Sequence, residues 1–152
     1  MTSPPKQHPM NQNNHNLLAL DIGGRRVGVA LASAEARLAA PLTVIDLKKT
    51  SNLKAAVKKL VSEQNVGLVV VGLPRGLNGQ ETAQTDAIRS IAAKLESELN
   101  VPVVMQDEAG TSLEAEDLLK KRGKPYDKAD IDKEAAALIL RDYLNQTAGQ
   151  TA

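Results

Sequence analysis

The sequence contains no cysteine, phenylalanine or tryptophan, and these absences exclude several kinds of protein. With no cysteine and only two histidines, His8 and His15, both near the N-terminus, the chain offers no cysteine nucleophile, no Ser-His triad and no thiolate or imidazole zinc site. Any catalysis must depend on carboxylates, hydroxyls, amines or a hard metal ion. Because Tyr126 and Tyr143 are the only tyrosines, binding of single-stranded nucleic acid by aromatic stacking is also disfavoured.

An excess of charge of one sign and a long apolar run are missing as well. The chain of 152 residues has 19 lysines and arginines against 18 acidic residues, so nucleic-acid binding would depend on local basic patches. No run approaches the ~20 apolar residues that cross a bilayer. We predict a cytoplasmic protein without membrane contact, comprising a disordered polar tail over 1–16, one folded domain over 17–145 and a short polar tail over 146–152.

Two aliphatic runs separated by a Gly-Gly-Arg-Arg turn predict a β-hairpin at the start of the domain. The first run, over 17–22, carries Asp21 near its end, and the second run covers 27–32. A third strand is predicted over 37–45, with Pro41 at an edge of the sheet because proline cannot donate a ladder hydrogen bond. Short links between these strands predict an antiparallel meander.

The middle of the chain alternates between helix and strand patterns. Apolar spacing from Leu53 predicts an amphipathic helix with a lysine-rich outer face, and the apolar stretch 66–74 predicts a strand buried on both faces. The Gly- and Asn-containing loop 75–80 follows that strand, at the position where open α/β sheets bind ligands. The next helix is predicted to bury one apolar face, formed by Ala87, Ile88, Ile91, Ala92, Leu95 and Leu99.

The last third of the chain predicts one more strand and two helices. The strand over 101–106 leads into Asp107 and Glu108. Thr111 and Glu114 have the spacing of a capping box at the start of a helix with apolar residues Leu113, Leu118 and Leu119. The basic segment 120–128 ends that helix. Its positive charges either contact phosphates of a nucleic acid or only stabilise the C-terminus of the helix.

The final helix is predicted to start near Asp130 and to bury one stripe of residues. Stepping back along this stripe by three and four residues places Asp132 on it, so that its carboxylate points toward the sheet. The predicted buried residues of the stripe are Ala135, Ala136, Ile139, Leu140, Tyr143 and Leu144.

Acidic residues therefore stand at the ends of three predicted elements. Asp21 is on the first strand, Asp107 or Glu108 follows the last strand, and Asp132 is on the inner face of the last helix. If the two strands are neighbours in a mixed sheet, these carboxylates converge and form a site for Mg²⁺ or Mn²⁺. Two such ions about 4 Å apart can activate a water and stabilise the leaving oxygen of a phosphodiester.

Four sequence blocks, in this order, resemble the YqgF/RuvX family of Holliday junction resolvases. They are Leu20-Asp21-Ile22-Gly23 with Arg25-Arg26-Val27-Gly28-Val29-Ala30, then Val71-Gly72-Leu73-Pro74, then Asp107-Glu108 with Thr111-Ser112 and Glu114-Ala115, and finally Asp132-Lys133 with Ala135-Ala136 and Ile139-Leu140. The resemblance implies an RNase H-like α/β fold, with a mixed five-stranded sheet of three antiparallel and then parallel strands flanked by helices. It also implies a metal-dependent nuclease that matures the 5′ end of precursor 16S ribosomal RNA or cleaves branched DNA.

The resemblance also implies roles for individual residues. Asp21, Glu108 and Asp132 would bind metal and act in catalysis, with Asp107 as an alternative ligand. Contacts with the substrate would come from the arginine pair, the strand end and the two hydroxyls, namely Arg25, Arg26, Gly72, Pro74, Thr111 and Ser112. The basic segment adds Lys121 and Arg122 to the candidate substrate contacts. The chain departs from the family at Gly24 and at Ala109-Gly110, where the family usually has Thr or Ser and Arg-Leu.

Two other functions are compatible with parts of the sequence. The first is an RNase H-like module that binds nucleic acid or a protein without catalysis. The second is a phosphate-loop protein of the actin-like superfamily, suggested by Leu20-Asp21-Ile22-Gly23-Gly24, although 152 residues are too few for a second lobe. A nuclease for branched DNA would favour a homodimer, whereas processing of one strand is compatible with a monomer.

Overall fold

The computed structural model describes residues 15–50, 52–108 and 110–148. Most of the predicted N-terminal tail, residues 1–14, and the last four residues of the predicted C-terminal tail lie outside this part. Five strands and four helices follow one another as β1 (Asn16–Ile22), β2 (Arg26–Ser33), β3 (Ala40–Asp46), α1 (Leu53–Glu63), β4 (Val66–Pro74), α2 (Ala83–Glu98), β5 (Val103–Glu108), α3 (Thr111–Arg122) and α4 (Lys128–Ala148).

The five strands form one mixed sheet in the order β3-β2-β1-β4-β5. Strands β1, β2 and β3 pair antiparallel, whereas β4 pairs parallel with both β1 and β5. The predicted meander is confirmed, and Pro41 lies on the edge strand β3. Because β1 is central and β4 is parallel to it, the carboxyl ends of β1, β4 and β5 lie at the same edge of the sheet.

The two faces of the sheet carry separate hydrophobic clusters. One face packs against α1 and α2, with large aliphatic side chains that include Leu18, Leu20, Val29, Val71 and Leu73. The opposite face packs against α4 and contains many alanines, namely Ala19, Ala30 and Ala32 from the strands and Ala136 and Ala137 from the helix, together with larger residues such as Ile139. Because side chains alternate along a strand, each residue of β1 is assigned to one helix layer by its position.

Helix α3 begins differently from the prediction. Its N-cap is Gly110, which has a φ of 70° and makes no side-chain capping hydrogen bond, so the predicted capping box of Thr111 and Glu114 is wrong. The Thr111 hydroxyl instead donates to Glu108 Oε1 at 2.5 Å. The helix is also rotated relative to the predicted apolar face, since Leu113 is exposed while Ala115 and Leu119 are buried.

Helix α4 extends beyond both of its predicted limits. It starts at Lys128 rather than near Asp130, because Asp127 and Asp130 cap each other's backbone amides at 2.9 and 3.0 Å. It continues to Ala148, past the predicted domain end at 145. Apart from Tyr143, which is only partly buried, its predicted stripe is buried.

One smaller correction concerns α2. Ala87, predicted on the buried face of α2, is exposed, and buried Thr85 takes part in packing instead because its hydroxyl donates to the Pro74 carbonyl at 2.6 Å. Within the described residues, none of the helices has the length and apolar character needed to cross a membrane.

Candidate active site

Asp21 lies at the carboxyl end of the central strand, on the face that packs against α4. Its Cα partner in the antiparallel pair is Gly28 of β2, so both residues point to the same face. On the other side Leu20 pairs with Val71 of β4, so the next residues, Asp21 and Gly72, also share this face. The carboxylate therefore stands between two strand positions that have no side chain.

Gly28 allows the first part of α4 to approach the sheet directly. A Cβ built on Gly28 would lie 2.0 Å from the carbonyl oxygen of Asp132 and 2.4 Å from its carbonyl carbon. Such distances are far below van der Waals contact, so only glycine fits under this turn of the helix. Because Gly28 is the cross-strand partner of Asp21, this close approach brings Asp132 next to the Asp21 carboxylate.

Glu108 reaches the same face from β5. Its Cα partner is Pro74, and Gly72 pairs with Gln106, two residues earlier on the same side of the strand. A Cβ on Gly72 would lie 3.5 Å from Glu108 Cγ and 2.5 Å from Cδ1 of Ile139 in α4. Gly72 thus provides the space in which Glu108 and α4 meet beside Asp21.

The pKa of Asp21 is raised by its burial and by the two neighbouring acids. Burial raises it from 3.8 to about 7, with further contributions in the same direction from the negative charges of Glu108 and Asp132. Burial disfavours the charged form of a carboxyl group, and nearby like charges add to this effect. The three acids that the sequence predicts as a set therefore interact electrostatically at one edge of the sheet.

Two of the three carboxylates already have partners. Asp132 forms an ion pair with Arg26, whose Nε donates a hydrogen bond to Asp132 Oδ2. Glu108 accepts a hydrogen bond from the Thr111 hydroxyl. In this arrangement, no group of three or more His, Cys, Asp or Glu side chains among the described residues is placed to hold a metal ion. The donor chemistry, three carboxylates around a partly buried Asp21, nonetheless fits a hard dication.

Asp107 is not part of this cluster. It lies on the opposite face of β5 from Glu108, its side chain is 66% exposed, and it forms an ion pair with Arg75 at 3.2 Å. Arg75 also contacts Glu81, which in turn pairs with Arg89 at 2.6 Å. Asp107 therefore belongs to a surface network at the start of α2, and the structure does not bring it to Asp21.

The predicted substrate contacts fall into two groups. Arg25, in the turn between β1 and β2, and Ser112, in the first turn of α3, have exposed side chains. The others make contacts within the fold: Gly72 is buried beneath α4, Pro74 accepts from Thr85, Thr111 is bound to Glu108, and Arg26 is paired with Asp132.

The basic residues at the end of α3 also differ in whether they form ion pairs within the fold. Lys121 forms a surface pair with Asp117 at 3.2 Å. Arg122 pairs at 3.3 Å with Glu134, whose side chain is only 3% exposed. Lys120 stays exposed. Arg122 therefore links α3 to α4, and a contact between Arg122 and substrate would compete with this ion pair.

Sequence reasoning missed Gly28 as a positioning residue. A glycine inside a strand is a known sign of close backbone approach, and this signal was present in the sequence. The pairing of Arg26 with Asp132 joins residues 106 positions apart, so no local pattern could have identified it.

The mixed sheet with its flanking helices defines the class of fold, which is RNase H-like. The structure resembles Thermus thermophilus RuvC in complex with a Holliday junction, with a TM-score of 0.58 and 18% identity, covering 88% of this chain and 96% of RuvC. It also resembles the fowlpox virus resolvase, with a TM-score of 0.53 and 14% identity, covering 87% and 98% of the two chains. At these identities the similarity establishes the fold.

The sequence comparisons establish the family. Residues 15–146 match the family RuvX, described as "Holliday junction resolvase". A protein from Chloroflexus aurantiacus named "Putative pre-16S rRNA nuclease" is 45% identical over 135 residues, covering 88% of each chain. A protein of the same name from Synechocystis is 38% identical over 130 residues, covering 84% of this chain and 86% of the relative. The chain belongs to the RuvX family of nucleases.

Proposed function

We propose that the chain is a divalent-metal-dependent nuclease in which Asp21, Glu108 and Asp132 hold Mg²⁺ or Mn²⁺. The observation that supports this most strongly is the close packing at Gly28 and Gly72, which brings Asp132 and Glu108 to the partly buried Asp21. Burial, and then the negative charges of Glu108 and Asp132, raise the pKa of Asp21 to about 7. Neighbouring carboxylates repel one another, and a dication bound among them removes this repulsion. Such an ion supplies electrostatic stabilisation of the charge that develops on phosphodiester oxygens.

The chain's own residues orient the outer two carboxylates. Thr111 Oγ1 donates to Glu108 and fixes that side chain from the first turn of α3. Arg26 holds Asp132 and supplies a positive charge at the same edge of the sheet. Hydrogen bonds to metal ligands restrict their orientation, so Thr111 and Arg26 are positioning residues in this proposal.

The substrate is a nucleic acid whose backbone crosses the carboxyl edge of the sheet. Exposed Arg25 follows the strand that carries Asp21, and exposed Ser112 is the neighbour of Thr111, which binds Glu108. In this proposal both residues contact the phosphates flanking the cleaved bond, and Lys120 and Lys121 extend this contact along α3. Relatives named for precursor 16S ribosomal RNA favour RNA maturation, in the cytoplasm, as the function. Branched DNA is the second candidate because the family is described by Holliday junction resolution.

Cleavage of end-labelled substrates tests the proposal. A precursor 16S rRNA fragment and a four-way DNA junction are incubated with wild type, Asp21→Asn or Asp107→Asn, in Mg²⁺, in Mn²⁺ or in chelator. We expect metal-dependent cutting that Asp21→Asn abolishes and Asp107→Asn retains. Binding of either substrate without cutting would contradict the proposal and favour a non-catalytic binding module. The stoichiometry of protein on the cleaved substrate would decide between monomer and homodimer.

A further inference from the structure

Exposed leucines are concentrated at the edge of the sheet that carries the acids. Three large aliphatic side chains stand out as highly exposed among the described residues: Leu77 is fully exposed, Leu113 is 77% exposed and Leu38 is 76% exposed. Leu77 follows β4 and Leu113 lies in the first turn of α3, so both lie just beyond strand ends at the Glu108 edge. Leu38, between β2 and β3, lies beyond the opposite end of the sheet.

Leu77 is held outward by a hydrogen-bonded loop. The Gly76 amide donates to the Gln80 carbonyl at 2.8 Å, and the Gly79 amide donates to the Gly76 carbonyl at 2.9 Å. The Asn78 amide donates to the Gln80 side chain at 2.9 Å. These bonds close a turn over residues 76–80, so the exposed leucine stands on a loop of defined backbone conformation.

The loop begins next to the carboxylate cluster. Pro74 is the register partner of Glu108, and Leu77 is three residues further along the chain. Three residues of backbone span at most about 10 Å, so the loop tip remains beside the strand ends. The preceding Arg75 is tied to Asp107 and Glu81, which anchors the base of the loop to β5 and α2.

We propose that Leu77 is a wedge that inserts between adjacent bases of the nucleic-acid substrate and unstacks them beside the cleaved phosphodiester. This inference rests on the proposed nuclease function. Apolar side chains such as leucine serve as wedges in proteins that kink nucleic acids. The chain has no phenylalanine or tryptophan to do this by stacking, and the small residues Gly76, Asn78 and Gly79 let the tip enter between bases.

Base unstacking is measured with 2-aminopurine, which becomes more fluorescent when it leaves the stack. The probes are a four-way DNA junction and an RNA hairpin, each with 2-aminopurine at one position around the cleaved bond. Binding is measured in Mg²⁺ with the Asp21→Asn protein. It is then measured with three double variants, in which Asp21→Asn is combined with Leu77→Ala, Leu77→Phe or Leu38→Ala. We expect a fluorescence increase at one position that Leu77→Ala removes and the other two variants retain.

Cleavage provides the second readout. With otherwise wild-type protein, we expect Leu77→Ala to lower kcat/KM at least about tenfold, since the cost of unstacking is then uncompensated. A mismatch at the unstacked position should restore the rate of Leu77→Ala to within about twofold of wild type, because the base is already displaced. Leu38→Ala should cut at the wild-type rate.

The outcomes separate the wedge from the nuclease function. If wild type cuts and Leu77→Ala cuts and unstacks equally well, the wedge is overturned and the nuclease stands. If Leu77→Ala is slow but a mismatch does not rescue it, the leucine serves another contact, such as a protein partner, and the wedge is again overturned. If wild type neither binds nor cuts either probe, both proposals fail.

Discussion

The two faces of the central strand β1 differ in side-chain size. One face contributes mainly to the hydrophobic core that stabilises the fold, and the other carries the candidate site. Toward α1 and α2, β1 presents Leu18, Leu20 and Ile22, which are large and buried. Toward α4, the same strand presents Leu17, then the small Ala19, and then Asp21. The large face is a conventional hydrophobic core, whereas the small face lets a helix backbone approach the sheet.

The comparison indicates why the acids meet on only one face. Close packing of α4 against Gly28 brings Asp132 to Asp21, and a larger residue at that strand position would push the helix outward. On the other face, large side chains keep α1 and α2 at an ordinary distance. A glycine in a strand lowers stability, and so does the burial of the Asp21 carboxyl group. Packing on the other face must offset both costs.

The largest effect on stability should come from the large face. Leu20→Ala removes a fully buried side chain and should lower the free energy of unfolding by about 3 kcal/mol. Urea denaturation measures this loss, with Leu38→Ala as the exposed control that changes little. Because Leu20 points away from the acids, cleavage per folded molecule should stay near the wild-type value. A folded variant with strongly reduced cleavage would mean that the two faces are not independent.

A smaller loss of stability should come from the small face, together with loss of activity. Gly28→Ala forces a Cβ against the backbone of Asp132, and we expect a loss of about 2 kcal/mol. Because α4 must move, cleavage should fall much more than for Leu20→Ala. Gly24→Ala is the control, since a Cβ there meets nothing within 4 Å. Unchanged cleavage by Gly28→Ala would show that the position of α4 does not control the site.

Replacing Asp21 should increase stability in chelator at pH 8. The pKa of Asp21 is about 7 in the native state, compared with the unperturbed value of 3.8. At a pH between these two values, Asp21 is protonated in the native state and ionised in the unfolded state. The free energy of unfolding of the wild type should therefore decrease as pH rises from about 4 to about 7. Asp21→Asn should lack this contribution and be more stable at pH 8 by about 1 to 2 kcal/mol.

Urea midpoints at pH 5 and pH 8 measure this difference. Asp107→Asn is the matched control, because Asp107 is exposed and paired with Arg75. Equal pH dependence of Asp21→Asn and wild type would contradict the burial and charge crowding assigned to Asp21.

The smallest expected effects concern the lysines on the two helix layers. Replacing Lys120 and Lys121 by glutamine should reduce the slope of log affinity against log salt by one to two, since each phosphate contact contributes about 0.9 on duplex DNA. Replacing Lys58 and Lys59 of α1 should leave the slope unchanged, because they lie on the other layer. Arg122 is left intact because it pairs with Glu134. A reduced slope after replacing Lys58 and Lys59, with an unchanged slope after replacing Lys120 and Lys121, would indicate that the substrate binds on the α1 layer.

Local patterns predicted most of the fold. Aliphatic runs identified the five strands, and the acids at strand and helix ends suggested that Asp21, Asp132 and either Asp107 or Glu108 would meet. The error at α3 arose because Thr111 and Glu114 fit a capping pattern, while tertiary structure used the Thr111 hydroxyl for Glu108. Glycine has no side chain that could cap a helix, so nothing in the sequence indicated that α3 begins after Gly110 and that Thr111 binds Glu108 instead.

Contacts between distant parts of the chain could not be predicted. The pairs Arg26 with Asp132 and Arg122 with Glu134 depend on how α4 lies against β2 and α3. Which of the two neighbouring acids on β5 faces Asp21 depends on the register between β4 and β5. That register pairs Pro74 with Glu108 and puts the Glu108 side chain on the α4 face.

The measurement that tests the central claim most directly is Mn²⁺ binding by calorimetry and electron paramagnetic resonance in four single variants. Asp21→Asn, Glu108→Gln and Asp132→Asn each remove one carboxylate of the cluster, and Asp107→Asn removes the neighbouring acid on the opposite face. We expect the first three to lose Mn²⁺ binding at least about tenfold and Asp107→Asn to bind as wild type. Equal binding by all four, or a loss in Asp107→Asn as large as in Glu108→Gln, would contradict the carboxylate cluster as the metal site.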